Sequence, residues 1–354
     1  MFKLFDRLPK YHHQPGDPKL QVRMDITNKC NLLCKMCHYP STVKDTKFDM
    51  EPELVQKIVD QIFPHADWVS LACQYEPFMS RHVEEVLQVI ARGPCTRVGI
   101  VTNATLWSER RIELMLDNPA IETLSVSIDG GTRETYERIR VNGNFDKLVR
   151  NLENFARLKR ERRATRPALR MNTVLMKSTI AELPLIVDLA IRATACRLEC
   201  IRFLQINKEL DEAITDWESV MPILAEAKKR AHDAGMELFL PIEDPRLDVE
   251  RDTNREAACN TSDVGRFSRY CEAPWSAVQI YPNGDIHPCG FYGKPFGNLK
   301  NADFIDIWNS EPYLELRRSL TRIELHPKCK ICNPHGYDNI ERKGRINKLE
   351  MAKA

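Results

Sequence analysis

Between residues 21 and 206 six extended apolar runs alternate with amphipathic helical stretches, and this repetition constrains the fold more than any other feature. The extended runs are QVRMDI (21–26), WVSLAC (68–73), RVGIV (97–101), TLSVSI (123–128), LRMNTVLM (169–176) and ECIRFLQI (199–206). Helical periodicity fills the gaps: EPELVQKIVDQIF, with Pro52 at a tolerated first-turn position, then RHVEEVLQVIA, SERRIELMLD, ETYERI with FDKLVRNLENFARLK, and LPLIVDLAIRA. Strands joined through helices pair in parallel, so the chain is read as α/β, a partial (β/α)6 TIM-like barrel. In such a barrel the loops at the C-terminal ends of the strands build the active site.

The barrel is assigned to residues 20–210, after a polar lead-in over 1–19. One more long helix is expected near 211–235 and a short strand at MELFLP, with a polar connection running to 265. Residues 266–336 read as a small α+β unit made of a hairpin, a helix and a cysteine loop. The hairpin is AVQIYPNGDIHPC, turned at Asn283-Gly284; the helix is FIDIWNSEPYLELRRSL; the loop is HPKCKICNPHG. A charged tail covers 337–354.

Charge excludes some partners. With 52 basic against 50 acidic residues there is no electrostatic reason to expect nucleic acid or a membrane surface. The first residues lack a signal-peptide core and no stretch approaches a membrane span, so a soluble cytoplasmic protein is expected. In that reducing compartment the clustered members of the twelve cysteines are better metal ligands than disulfides. No Gly-rich phosphate loop, HExxH helix or dinucleotide fingerprint is present, which leaves nucleotide hydrolysis, zinc proteolysis and hydride transfer without a motif.

Cys30, Cys34 and Cys37 stand as C-x3-C-x2-C directly after the first strand. A helix burying them as small residues fits poorly, because the strand ends in Thr27-Asn28-Lys29 and the thiols begin in the loop. Structural zinc needs a fourth ligand, and His38 is too close in sequence to Cys37 to complete a tetrahedron easily. Three thiolates suit an iron–sulfur cube with one iron left open to bind a small molecule.

The spacing resembles the signature of the radical S-adenosylmethionine (radical SAM) superfamily, over roughly residues 20–210. QYEP (74–77) matches the family's Gly-Gly-Glu-Pro segment at the methionyl amino group, with Gln74 and Tyr75 replacing the glycines and Glu76 kept. VTNA (101–104) is similar to its Thr-Asn-Gly, which brings in Asn103. SVSIDG (125–130) matches the ribose-contacting segment, which implies Ser127 and Asp129. In RIRVNGNFDKL (138–148) Arg140 would suit the SAM carboxylate. Met36 takes the place of an aromatic near the adenine, and Gln205 at the end of the sixth run is a further candidate contact. Cys73, ending the second run, is the candidate hydrogen-atom donor.

A second group, Cys271, Cys289, Cys329 and Cys332, lies in a region that resembles the SPASM/twitch extension of many radical SAM enzymes. Four cysteines imply one fully ligated auxiliary [4Fe-4S] cluster suited to electron transfer; a four-thiolate zinc site, with His326 and His335 nearby, is the alternative.

The resemblance implies two [4Fe-4S] clusters and SAM as cofactors, a flavodoxin- or ferredoxin-like electron donor, and reductive cleavage of SAM to a 5′-deoxyadenosyl radical that takes hydrogen from substrate. Oxidation results if the auxiliary cluster accepts the remaining electron, and epimerisation if a thiol returns hydrogen. Only about twenty residues precede the first strand, too few for a leader-binding module, so a small polar substrate such as a sugar or aminocyclitol is expected. Maturation of a ribosomal peptide with a separate leader-binding partner is one alternative, and a non-catalytic zinc or iron–sulfur module is another.

Overall fold

A computed structural model describes residues 20–42, 46–72, 74–95, 97–204, 206, 209–242, 273–290 and 292–321. The chain opens with β1 (Leu20–Met24), a two-residue β2 (Leu33–Cys34), the single turn α1 (Tyr39–Thr42) and α2 (Pro52–Gln61). Five strand–helix steps follow: β3 (Ala66–Leu71) and α3 (Val83–Ala91), β4 (Val98–Thr102) and α4 (Glu109–Leu116), then β5 (Ile121–Ser127) and α5 (Arg133–Ile139). A second short strand, β6 (Arg140–Val141), leads into α6 (Phe145–Glu161), after which come β7 (Ala168–Leu175), α7 (Leu183–Arg192) and β8 (Arg197–Arg202). Then come α8 (Met221–Asp233) and β9 (Glu237–Phe239). The C-terminal region supplies α9 (Ala273–Ser276), β10 (Ala277–Ile280), β11 (Asp285–His287), β12 (Gly297–Asn298), α10 (Phe304–Trp308) and α11 (Glu311–Thr321).

One sheet carries most of these strands, in the order β12-β11-β10-β1-β3-β4-β5-β7-β8-β9. All pairs from β10 to β9 are parallel, as helical crossovers require. The alternation in each strand decides which face the helices cover. Val22 and Met24, Val69 and Leu71, Leu124 and Val126, Leu169 and Met171, and Leu198 and Cys200 are buried in one core. Into it α2 inserts Leu54, Val55, Ile58 and Val59, and α6 inserts Leu148, Leu152 and Phe155. Burial of each such side chain contributes about 1.5–3 kcal/mol.

The hairpin forms as expected, with β10 and β11 antiparallel and Gly284 at φ +92° in the turn. Strand β10 also adds to the edge of the barrel sheet beside β1, in the register Gln21↔Ala277 to Met24↔Ile280, so the C-terminal region continues the sheet. Two helical expectations are corrected. The helix expected near 211–235 starts only at Met221, with Pro222 in its first turn. The residues ahead of it are held on the β7–α7 loop, where Glu212 accepts hydrogen bonds from the backbone of Lys177 (3.0 Å) and Ser178 (2.9 Å). The single helix expected over 304–320 breaks into α10 and α11 at Asn309, whose side chain donates back to the Ile305 carbonyl. Among the described residues no helix is long and apolar enough to cross a membrane.

Candidate active site

The loop after β1 brings Cys30, Cys34 and Cys37 together at the C-terminal end of the sheet. Strand β2 pairs antiparallel with β6, setting Cys34 opposite Arg140, and Lys35 N–H donates to the Ile139 carbonyl at 3.0 Å. The rest of the loop wraps round its own sulfurs. Leu32 N–H donates to Cys30 Sγ at 3.5 Å, Tyr39 N–H to Cys37 Sγ at 3.4 Å, and Cys30 N–H to the Tyr39 hydroxyl at 3.0 Å. Backbone donors aimed at sulfur favour thiolate over thiol.

Burial pushes the Cys30 thiol up to about 12, opposed by the Leu32 amide and reinforced by Glu76, Cys34 and Cys37. Cys34 is pushed up to about 11 by burial, against the pull of Arg140. Cys37 is also penalised by burial, but its contact with His38 and the Tyr39 amide outweigh that and hold it below the usual thiol range. The two raised thiols, Cys30 and Cys34, are ones that a strongly Lewis-acidic occupant deprotonates on binding. The thiols feel one another's charge, yet among the described residues no group of three or more His, Cys, Asp or Glu side chains converges on a single ion position. His38 Nδ1 lies 3.8 Å from Cys37 Sγ as a hydrogen-bonding neighbour, not as an independent fourth ligand. The donor set therefore fits a cluster of several irons better than one zinc ion.

The strand-end residues cluster about this loop. Glu76, 2% exposed, turns its carboxylate into the protein: Oε1 accepts from the Thr102 hydroxyl (2.8 Å) and Phe78 N–H (3.3 Å), and Oε2 from Asn103 N–H (2.7 Å). Burial raises its pKa to about 7 in spite of those bonds. Asn103 donates to Asn31 Oδ1 at 2.9 Å, and Asn31 donates to the Thr105 hydroxyl at 3.0 Å, so the β4 loop is stitched to the cysteine loop. Ala72 and Ala104, at φ +66° and +57°, hold left-handed turns just after β3 and β4. Left-handed alanines of this kind are strained and persist where neighbours over-determine them, as they do at functional loops.

Asp129 is fully buried; its Oδ1 accepts from Val174 N–H at 2.7 Å and its Oδ2 pairs with Arg140 Nη2 at 2.6 Å. Arg140 Nη1 is 3.9 Å from Cys34 Sγ, and its Nε is buried with no hydrogen-bond partner among the described residues. Burial opposes the Arg140 charge, but Asp129 and Cys34 more than compensate, and the guanidinium stays charged. A buried cation with one donor still to place beside the thiols suits an anionic group such as a carboxylate. Met36 and Ser127 are both half-buried, in the cysteine loop and at the end of β5. Tyr75 packs edge-on against Tyr39, ring centroids 5.7 Å apart, and burial raises its hydroxyl to about 12. Gln74 turns toward the C-terminal hairpin, its Nε2 donating to the Tyr281 hydroxyl at 2.8 Å. Cys73, Gln205, Cys271, Cys329 and Cys332 lie outside the described residues; Cys289, in the loop after β11, is half-buried.

The sheet face opposite the helices is polar. Registered across neighbouring strands are Ser127, Asn172 and Glu199, and one pleat below them Ser125, Arg170 and Arg197, all half-buried. Arg170 Nε is buried without a partner among the described residues. Apart from Ser127, sequence reasoning did not single out the residues of these two rows, nor Asn31, Tyr39 and Tyr281. Only Asn31 and Tyr39 carried a signal, by lying in or next to the cysteine run.

Residues 24–190 match the radical SAM superfamily, and residues 271–333 match SPASM, an iron–sulfur cluster-binding domain. The chain is 24% identical over 324 residues to an AdoMet-dependent heme synthase of Methanosarcina barkeri, covering 89% of this chain and 88% of that one. It is 25% identical over 287 residues to a probable GTP 3′,8-cyclase of Methanococcus maripaludis, covering 81% and 87%. Among solved structures, Streptococcus suis SuiB bound to S-adenosylmethionine superposes with a TM-score of 0.65 at 18% identity, over 90% of this chain and 71% of that one. The anSMEcpe enzyme with bound AdoMet gives 0.58 at 15%, over 89% and 84%.

Proposed function

This chain belongs to the radical SAM superfamily and carries an iron–sulfur SPASM domain, and on that premise we propose that it takes a hydrogen atom from a small polar molecule, such as a sugar or aminocyclitol, to dehydrogenate or epimerise it. Its cofactors are S-adenosylmethionine and [4Fe-4S] clusters, which when bound and reduced supply a 5′-deoxyadenosyl radical as the abstracting agent.

The protein's own part is to hold and to exclude. Cys30, Cys34 and Cys37 would hold the first cluster through three thiolates, leaving it able to bind a small molecule. Arg140, steadied by Asp129, would receive the carboxylate of the bound cofactor, and Ser127 would contact its ribose. Glu76 acts by positioning, fixing Thr102 and Asn103 where the β4 loop meets Asn31. Cys289, with Cys271, Cys329 and Cys332, would hold the second cluster, and a flavodoxin- or ferredoxin-like protein would supply the electron.

The observation that favours a small polar substrate is the row Ser127–Asn172–Glu199, with Arg170 beneath it, on the sheet face adjoining the thiol loop. Hydroxyl, amide, carboxylate and guanidinium groups there match a molecule dense in hydroxyls or amines and offer little to an apolar one.

The test is anaerobic incubation of reconstituted enzyme with SAM, a reductant and candidate substrates deuterated at carbon, followed by mass spectrometry of 5′-deoxyadenosine. Label arriving from a polyol or aminocyclitol supports the proposal. Label arriving only from a peptide, with none from any small polyol, would replace it with peptide maturation.

A further inference from the structure

Two arginines stand side by side on the polar face of the sheet, and only one of them has a carboxylate. Arg170 of β7 is the register partner of Arg197 of β8, which is in turn opposite Glu237 of β9. Arg197 takes both Glu237 oxygens, Nε to Oε2 and Nη2 to Oε1 at 2.8 Å each. Among the described residues no carboxylate, Glu199 included, forms an ion pair with Arg170, and its Nε is buried without an acceptor. Like charges set side by side repel, and burial and the neighbouring Arg197 both lower the Arg170 pKa. A freely solvated arginine would turn its Nε out to water. Here the Nε is shut off from solvent while the side chain as a whole stays half-buried, so the guanidinium is held on this face with hydrogen-bonding capacity left over.

We propose that the substrate carries an oxyanion, a carboxylate or a phosphate, and that Arg170 binds it at the floor of the site. The inference rests on the reading of this polar face as the surface that holds a small polar substrate. Strand β7 sets the geometry. Val174 N–H donates to Asp129, the partner of Arg140, at the upper end of the strand. Asn172 follows, in register with Ser127, and Arg170 lies one pleat further down, about 7 Å below Asn172 along the strand. An anion on Arg170 therefore holds one end of the substrate low, with its remaining carbons at the level of Ser127, Asn172 and Glu199. The guanidinium fork suits two oxygens of one anion, and an anion there also offsets the repulsion from Arg197. Among hydroxyl-rich molecules this selects acids and phosphate esters over neutral sugars.

The test uses the full chain, reconstituted anaerobically and saturated with SAM, so that the cofactor's own carboxylate is already bound. Glucose, glucuronate and glucose 6-phosphate, which share a ring and differ at one carbon, are titrated by calorimetry. Wild-type protein is expected to bind one of the two anionic forms about tenfold or more tighter than glucose, and Arg170→Met to lose that preference. Arg170→Lys, which keeps the charge without the fork, is expected to retain part of it. A preference for glucose 6-phosphate assigns a phosphate, and one for glucuronate a carboxylate. With no sugar added, Arg170→Met is expected to melt no lower than wild type, since methionine keeps an apolar stem and removes a charge that has no internal partner. Equal affinity of the wild type for all three sugars, or a preference that survives Arg170→Met, would overturn the proposal. So would a lower melting temperature of that variant, which would show the guanidinium serving the fold. If deuterium still reaches 5′-deoxyadenosine from a neutral polyol, the reading of the site stands and only the anion is lost. Deuterium arriving only from a peptide would remove that reading, and the inference with it.

Discussion

Arg140 and Asp129 form a buried ion pair, Nη2 to Oδ2 at 2.6 Å, and the same guanidinium reaches to 3.9 Å from Cys34 Sγ. Removing one partner of such a pair leaves the other charged and buried, which costs about 3–5 kcal/mol. Arg140→Ala is therefore expected to lower the urea midpoint sharply. Arg140→Lys, which keeps the charge but lacks the fork, is expected to lose SAM affinity with a smaller loss of stability. Equilibrium urea unfolding and SAM titration of the reconstituted proteins check both; an Arg140→Ala midpoint equal to wild type would refute the ion-pair argument.

Glu76 predicts an unusual pH dependence. Its folded pKa of about 7 lies above the ordinary carboxylate value of 4.5, because burial disfavours the charge more than its three hydrogen bonds restore it. Between those values the folded chain keeps a proton that the unfolded chain has released, so this group's contribution falls as pH rises through the window and levels off above it. Relative to wild type, Glu76→Gln is expected to gain about 3 kcal/mol on going from pH 4.5 to pH 8. Urea unfolding of both proteins at the two pH values measures that difference, and a constant offset between them would count against it.

Much of this architecture is legible in the sequence because the pleat writes it there. Val22 and Met24, or Leu169 and Met171, alternate with polar residues, and one face of each strand must be buried. The same alternation hides the polar rows, since Asn172 and Glu199 read simply as the other face until strand order is known. Strands β2 and β6 are two residues each and have no periodicity to detect, so the pairing of Cys34 with Arg140 emerges only from the structure. Addition of β10 beside β1 is illegible for a different reason: a strand's pattern does not name its neighbour, and Gln74 and Tyr281 are 207 residues apart.

Gly284 carries φ +92° in the hairpin turn, and a Cβ there would stand 3.0 Å from Asn298 Oδ1 and 3.3 Å from Leu54 Cδ2. Asn298 already closes the turn, donating to the Asn283 carbonyl at 3.1 Å and to Asp285 at 2.8 Å. Gly284→Ala is expected to destabilise the protein by about 1–2 kcal/mol, the left-handed penalty of an ordinary residue. Calorimetry would record a lower melting temperature; an unchanged one would mean that the turn relaxes without strain.

The two cysteine groups are expected to fail differently. Replacing Cys329 and Cys332 with Ala should leave SAM cleavage running without substrate turnover, if the second cluster serves electron transfer. Paired assays of 5′-deoxyadenosine and product check this, and loss of both activities together, in a protein that keeps its first cluster, would argue for a different role.

The most direct measurement is iron content together with 5′-deoxyadenosine formation in the chain whose Cys30, Cys34 and Cys37 are all replaced by Ala. An open-iron site at these thiols predicts the loss of about four irons per chain and of all SAM cleavage, with the circular dichroism of the folded barrel retained. Cleavage that survives the triple replacement, or zinc in place of iron at this site in anaerobically purified wild-type protein, would contradict it.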